Sequence, residues 1–259
     1  MWRAFNLIDC NWKNIPHSSG AAIYERNNKI VETAIDSFIS NGIVDGTKLS
    51  AHWFPKITAD VFISHSHNDQ EDAIKCAGWL KDHFGLDSFI DSCVWGFADD
   101  LLKVIDDKHC KNLGEDTYSY SKRNRSTSHV HMMLATALNE MIDAAECVVF
   151  INTSNSITTD EAIRKTKSPW LFFELAAMRH IRRRKPERMH IIEEQHFSMG
   201  TKKSAELKVE YVVPLHELTA LGADQLNSWL KAWEKTSEDG ANALDVLYDR
   251  HPEKGSVRH

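Results

Sequence analysis

The chain has 259 residues, of which 42% are hydrophobic and 26% charged, and carries a formal net charge of −6. This is the profile of a soluble globular protein with room for one large domain, or one domain with additions. The acidic balance argues against nucleic acid as a partner. No apolar run reaches the roughly 18 residues of a membrane helix. The five cysteines are scattered and odd in number without a CxxC pair, which suggests neither a disulfide framework nor a zinc knuckle and fits a cytoplasmic protein with reduced thiols.

The N-terminal stretch MWRAFNLIDCNWKN lacks the long apolar core of a secretory signal and is read as part of the fold. Apolar residues at Ile23, Ile30, Val31, Ala34, Ile35, Phe38 and Ile39 predict an amphipathic helix over residues 19–42, ended at Asn41–Gly42. A connector punctuated by Asp45–Gly46 and Pro55 follows. Residues 1–58 are therefore expected to be a helical N-terminal extension.

From Asp60 the pattern changes to short apolar runs separated by helical stretches. Strands are predicted at 60–64, 87–90, 147–152, 189–192 and 210–213, with helices at 69–84, 98–108, 128–146, 169–184 and 217–235. The helix at 128–146 has the clearest stripe: Val130, Met133, Leu134, Ala137, Leu138, Met141 and Ile142. Such alternation predicts an α/β fold, a five-stranded parallel sheet covered by helices on both faces. The flavodoxin-like order 2-1-3-4-5 suits it better than a closed barrel. Residues 111–127 have few apolar anchors and read as a polar insertion, and residues 216–259 as a C-terminal helix and tail. The basic runs at 121–126 and 180–188 read as a solvated loop and a solvated helix end.

The stretch DVFISHSHNDQ (60–70) poses the functional question. A strand followed by H-x-H-x-D is how metallo-β-lactamase-like hydrolases open a zinc site, and His65, His67 and Asp69 are suitable ligand types. That family places a further histidine where this chain has Gln70, and the downstream pair His129 and His131 lies in a helical segment without glycine-rich strand ends. In the alternative, the two histidines occupy a strand-to-helix turn and Asp69 stands at the start of the next helix, where negative charge is favoured.

The same stretch resembles the first strand and loop of a TIR (Toll/interleukin-1 receptor) domain. FIDSCVWG (89–96) is similar to the second strand and the loop after it. CVVFINTSNS…SPWLFFEL (147–175) is similar to the third strand and the W-x-x-x-E signature, here Trp170 and Glu174. The resemblance spans 59–215, and the additions around it (1–58, the 111–127 insertion and the C-terminal stretch) resemble those of bacterial TIR proteins, including the Thoeris anti-phage type, more than animal receptor adaptors. It implies a flavodoxin-like TIR fold and cleavage of the nicotinamide–ribose bond of NAD, with Glu174 as the catalytic residue. Ser64, His65, Ser66, His67, Asp91, Trp95 and Trp170 would line the nucleotide. NAD would be the substrate, and no cofactor or metal is implied. The product would be ADP-ribose or a cyclic isomer acting as a signal for a separate effector protein, and assembly into a homo-oligomer is expected. A TIR module that works by self-association alone is the competing reading. Packing is the commoner role for tryptophan, and solvated charge for a helical glutamate.

Ser168–Pro169 reads as an N-cap and first helical position. Trp170 and Glu174 lie four apart, on one face of the helix that follows. The loops beginning at Ser64, Asp91 and Asn152 should meet at the carboxyl edge of the sheet, where open α/β folds bind ligands.

Overall fold

The computed structural model describes residues 1–28, 38–40, 43–112, 114–160, 163–181, 183–189, 211–213, 215–236 and 242–252. At its centre lie β1 (Arg3–Ile8), β2 (Val61–Ser64), β3 (Ser88–Ile90), β4 (Cys147–Asn152) and β5 (Thr219–Leu221). They form one all-parallel sheet in the order β5-β1-β4-β2-β3. The helices are α1 (Ser18–Asn27), α2 (Gly46–Trp53), α3 (Gln70–Phe84), α4 (Ser92–Ile105), α5 (Tyr120–Ala144), α6 (Pro169–His180), α7 (Ala223–Trp233) and α8 (Ala243–Arg250).

Strand side chains alternate between faces, so each face has its own cover. Phe5, Leu7, Val61, Cys147, Val149 and Leu221 meet Cys76, Trp79 and Leu80 of α3, Leu226 and Trp229 of α7, and Leu244 and Leu247 of α8. Aromatic rings fill much of this layer: Phe84 and Trp229 stack at 3.8 Å, and the Trp229 indole N–H donates to the Ala243 carbonyl at 2.8 Å. α1 lies against α3 through a glycine pair. A Cβ on Gly20 would stand 1.8 Å from the Ile74 carbonyl oxygen, and one on Gly78 2.8 Å from the Gly20 nitrogen. On the opposite face Ser64 meets Glu174 of α6, α5 packs on α6, and α4 on α5.

The central part of the predicted order is present: β3, β2 and β4 are the three strands expected from 87–90, 60–64 and 147–152, side by side as foreseen. The other two positions are filled differently. β1, from the supposed helical extension, takes the place beside β4, pairing from Arg3↔Cys147 to Ile8↔Asn152. Its signal was masked by polar residues, because all but Ile8 are buried, Arg3 and Asn6 included. Arg3 is accommodated by Thr219 Oγ1 and the His251 carbonyl, 3.1 and 2.7 Å away, and by the rings of Phe5 and Tyr248.

β5 is three residues long and abuts α7, and it falls inside the helix expected over 217–235. Of the strand expected at 210–213, Tyr211–Val212 pairs instead with Ile163–Thr166, antiparallel, in a small three-stranded sheet that also includes Thr158–Asp160. Of the strand expected at 189–192, Met189 ends a 3₁₀ turn and 190–192 lie outside the described residues.

Other boundaries shift as well. The helix expected over 19–42 is present as α1, while 29–37 and 41–42 lie outside the described residues and Ile39–Ser40 is a short strand. The connector contains α2, capped by the Asp45 side chain, which accepts from the Lys48 N–H. The polar insertion is half helix: α5 begins at Tyr120, and its solvated first turns are anchored where Arg123 and Ser126 donate to Asp106 at 2.8 and 2.6 Å. Among the described residues no helix is long and apolar enough to cross a membrane. All five cysteines are free, four of them buried.

Candidate functional site

The chain leaves β2 outward to β3, then returns to β4 on the other side of β2. The loops after β2 and β4 therefore diverge, and the carboxyl ends of these strands form a switch point of the kind at which open α/β sheets bind ligands. Ser64 ends β2, Asp91 follows β3 directly, and Thr153 follows β4.

α6 descends onto this edge from a defined start. The Ser168 hydroxyl accepts from the Leu171 N–H at 3.2 Å, and Pro169 occupies the first turn, where no backbone donor is missed. One turn on, Leu171 and Leu175 are buried, and Glu174 goes inward with them.

Four of the expected residues form one buried cluster. Ser64 Oγ donates to Glu174 Oε2 at 2.6 Å. The His65 backbone N–H donates to Asp91 Oδ2 at 3.2 Å. His65 Nδ1 stands 2.5 Å from Asp91 Oδ1, closer than an ordinary N–H···O bond and outside its angular range. Ser64, His65, Asp91 and Glu174 are each 0% exposed.

Burial and the charge of Asp91 hold the Glu174 carboxyl well above the usual carboxylate range, against the Ser64 hydrogen bond. Burial likewise raises Asp91, but its coupling to Glu174 and the backbone N–H groups of His65 and Ser92 favour its ionised form. Both carboxyls are thus held well above the usual range and Glu174 keeps a proton, since two bare charges in this volume would each carry a large desolvation cost. Burial pushes His65 down to about 4, outweighing the opposing pull of the acidic groups Glu174 and Asp69, so its imidazole is neutral at pH 7.

His65 Nε2 and Trp95 Nε1 are buried without a hydrogen-bond partner, while His65 Nδ1 and Asp91 Oδ1 face each other and the Asp91 and Glu174 carboxyls are coupled. Buried polar atoms are ordinarily paired, so these two nitrogens, side by side at one sheet edge, are candidate contact points for a ligand.

The remaining expected residues surround the cluster. Trp95 stacks with His65 at 5.1 Å and with exposed His67 at 5.9 Å between ring centroids. Ser66 turns away to donate to Asp69 Oδ2 at 2.7 Å. Trp170 packs edge-on against His131 of α5, 5.3 Å between centroids. Among the described residues, no group of three or more His, Cys, Asp or Glu side chains is arranged to hold a metal. His65 faces Asp91, His67 meets Trp95, and Asp69 is committed to hydroxyl and amide donors, so the zinc set His65/His67/Asp69 is not assembled.

Sequence reasoning did not foresee the closure of the switch point. Thr153 Oγ1 and Asn155 Nδ2, from the loop after β4, donate to the Asp69 carboxylate at 2.6 and 2.7 Å. With Ser66 they tie the β2 and β4 loops together, and the run Asn152–Thr153–Ser154–Asn155 at a strand end was the available signal. Asn6 was also missed with its strand: it lies opposite Phe150, which lies opposite Ser64, and its buried Oδ1 is unpartnered. Comparison of the chain with protein-family models, with curated proteins and with solved structures yields no match.

Proposed function

We propose that the chain is a TIR-type enzyme that cleaves the nicotinamide–ribose bond of NAD, with Glu174 as its catalytic residue. The observation that carries this reading is the burial of Glu174 against Ser64 and Asp91 at the carboxyl edge of the sheet, on the helix opened by Ser168-Pro169-Trp170. The likeness lies in the β3-β2-β4 half of the sheet together with α6, where the resembling motifs follow one another in order.

The chemistry needs little more than this. Nicotinamide leaves a cationic pyridinium as a neutral molecule, so no acid must protonate it. Positive charge gathers on the ribose, as in the oxocarbenium-like transition states of glycosidases. A carboxylate in a water-poor setting stabilises that charge far better than water does. A cationic substrate arriving beside Glu174 favours its ionised form, so the substrate's charge replaces the proton that Glu174 holds in the closed state. His67 and Trp95 offer rings for stacking at the rim, and Ser64, His65 and Ser66 offer donors and acceptors for ribose or phosphate. The product, ADP-ribose or a cyclic isomer, would serve as a signal for a separate effector in anti-phage defence, made by a homo-oligomer in the cytoplasm.

A second reading, a TIR-like module that only self-associates, is favoured by one observation: Glu174 and Ser64 have no solvent exposure through which a substrate could reach them as they stand. Incubation of the purified chain with NAD, followed by chromatography of nicotinamide and nucleotide products, separates the two. Nicotinamide with ADP-ribose or a cyclic isomer supports the enzyme and identifies the reaction. Intact NAD together with a stable oligomer by sizing supports the module.

A further inference from the structure

We propose that His65, gripped by Asp91, is a second catalytic group of this site, whose Nε2 takes the proton of the water that attacks the ribose carbon. The inference rests on the NAD-cleaving reading and supplies a role that reading leaves unfilled, acceptance of the proton that the nucleophile must lose.

Asp91 meets His65 at two points. One carboxylate oxygen accepts the His65 backbone N–H at 3.2 Å, and the other lies 2.5 Å from Nδ1. A carboxylate on the Nδ1 side holds the ring proton there and leaves Nε2 with its lone pair, the tautomer that a general base requires. Trp95, stacked on the imidazole at an interplanar angle of 21°, restricts the ring to this orientation.

Nε2 is buried and has no partner, in a side chain with 0% exposure. A nitrogen so placed is where a water or a substrate group belongs. Ser64, the preceding residue, binds Glu174 directly, so His65 and the carboxyl that would face the ribose belong to one cluster. The burial that lowers the basicity of His65 also keeps it unprotonated at neutral pH. A weak base is sufficient, because water bonding to an oxocarbenium-like carbon becomes strongly acidic.

The bond from C1′ to the pyridinium nitrogen breaks, and its electron pair leaves with the ring, which becomes neutral nicotinamide. A lone pair of water forms the new C1′–O bond. The proton released from that water passes to Nε2, giving an imidazolium opposite Asp91, and returns to solvent as ADP-ribose departs.

The test uses a nucleophile with no proton to lose. The full chain is incubated with NAD and 3-acetylpyridine, and ADP-ribose is measured beside the exchanged dinucleotide. In His65→Gln, ADP-ribose formation is expected to fall roughly 100-fold, as for loss of a general base, while pyridine exchange falls far less. Equal losses in both products would make His65 structural and overturn the role.

The wild-type chain gives a second readout that does not depend on the variant folding. The ratio of hydrolysis to exchange should fall in heavy water and as pH drops through the titration of the base. A ratio indifferent to both overturns the proposal. No nicotinamide release from the wild type under any of these conditions would remove the NAD-cleaving reading itself, and this role with it, before any variant is compared.

Discussion

Ser64 Oγ donates a 2.6 Å hydrogen bond to Glu174 Oε2 across 110 positions of sequence, and neither side chain has any solvent exposure. The bond joins the end of the central strand β2 to the second turn of α6, so the carboxyl is positioned by the sheet as well as by its own helix. A hydroxyl and one neighbouring carboxylate are modest company for a buried acid, and the arrangement stores a proton.

That proton makes stability depend on pH in a direction that can be worked out. Glu174 is raised from 4.5, so the native state holds a proton that the unfolded chain releases. Its contribution is complete below about pH 4.5 and is lost as pH rises through the native value. His65 acts oppositely. Lowered from 6.5 to about 4, it resists charging, so its contribution is complete above pH 6.5 and is lost as pH falls towards 4, by on the order of 3 kcal/mol. Urea midpoints across this range should show Glu174→Gln abolishing much of the alkaline decline and His65→Gln much of the acid decline. A Glu174→Gln profile parallel to wild type above pH 5 would contradict the assignment of the proton.

Asp69 fastens the switch point. Asp69→Ala leaves Ser66, Thr153 and Asn155 without their acceptor. The expected loss is about 2–3 kcal/mol, the range for a hydrogen bond to a charged group. Hydrogen exchange should quicken in residues 65–70 and 153–156 together, because one carboxylate links both loops. Asp69→Asn, which keeps an acceptor oxygen, should lose less. An unchanged denaturation midpoint in Asp69→Ala would show that the loops are held by something else.

Gly20 is required by the close approach of α1 to α3. A methyl group there would meet the Ile74 carbonyl oxygen at 1.8 Å, and backbone rather than a flexible side-chain end would have to move. Gly20→Ala is expected to cost about 3 kcal/mol, the upper part of the usual overpacking range, and to lower Tm by roughly 10 °C. A variant within about 2 °C of wild type would mean that the two helices separate without cost.

The legible parts of the fold were those in which local pattern and tertiary role agree. β2, β4 and the stripe of α5 are apolar where they are buried, and Ser168-Pro169 announced the start of α6. β1 was hidden because Arg3 and Asn6 interrupt its apolar run, and only β5, α8 and the neighbouring rings explain why Arg3 can be buried. β5 is too short to show an alternation of its own.

Motif order placed Ser64, His65, Asp91 and Glu174 at one sheet edge, and the four are adjacent there because each is fixed by a strand end or a helix start. Trp170 illustrates the opposite case. Its spacing from Glu174 places it on the same side of α6, yet its ring packs on α5, and the identity of a packing partner cannot be read from spacing. The Asp69 tie was invisible for the same reason: it joins loops 84 and 86 residues apart.

The most direct test of the account is the rate of nicotinamide release from NAD by wild type and Glu174→Gln, at equal concentration and with both shown to be folded. The substitution keeps the side chain's size and its contact with Ser64 while removing the charge that would face the ribose. The account predicts release by the wild type and a fall of roughly 100-fold or more in the variant. Equal rates in the two proteins would contradict it and move the chemistry away from Glu174.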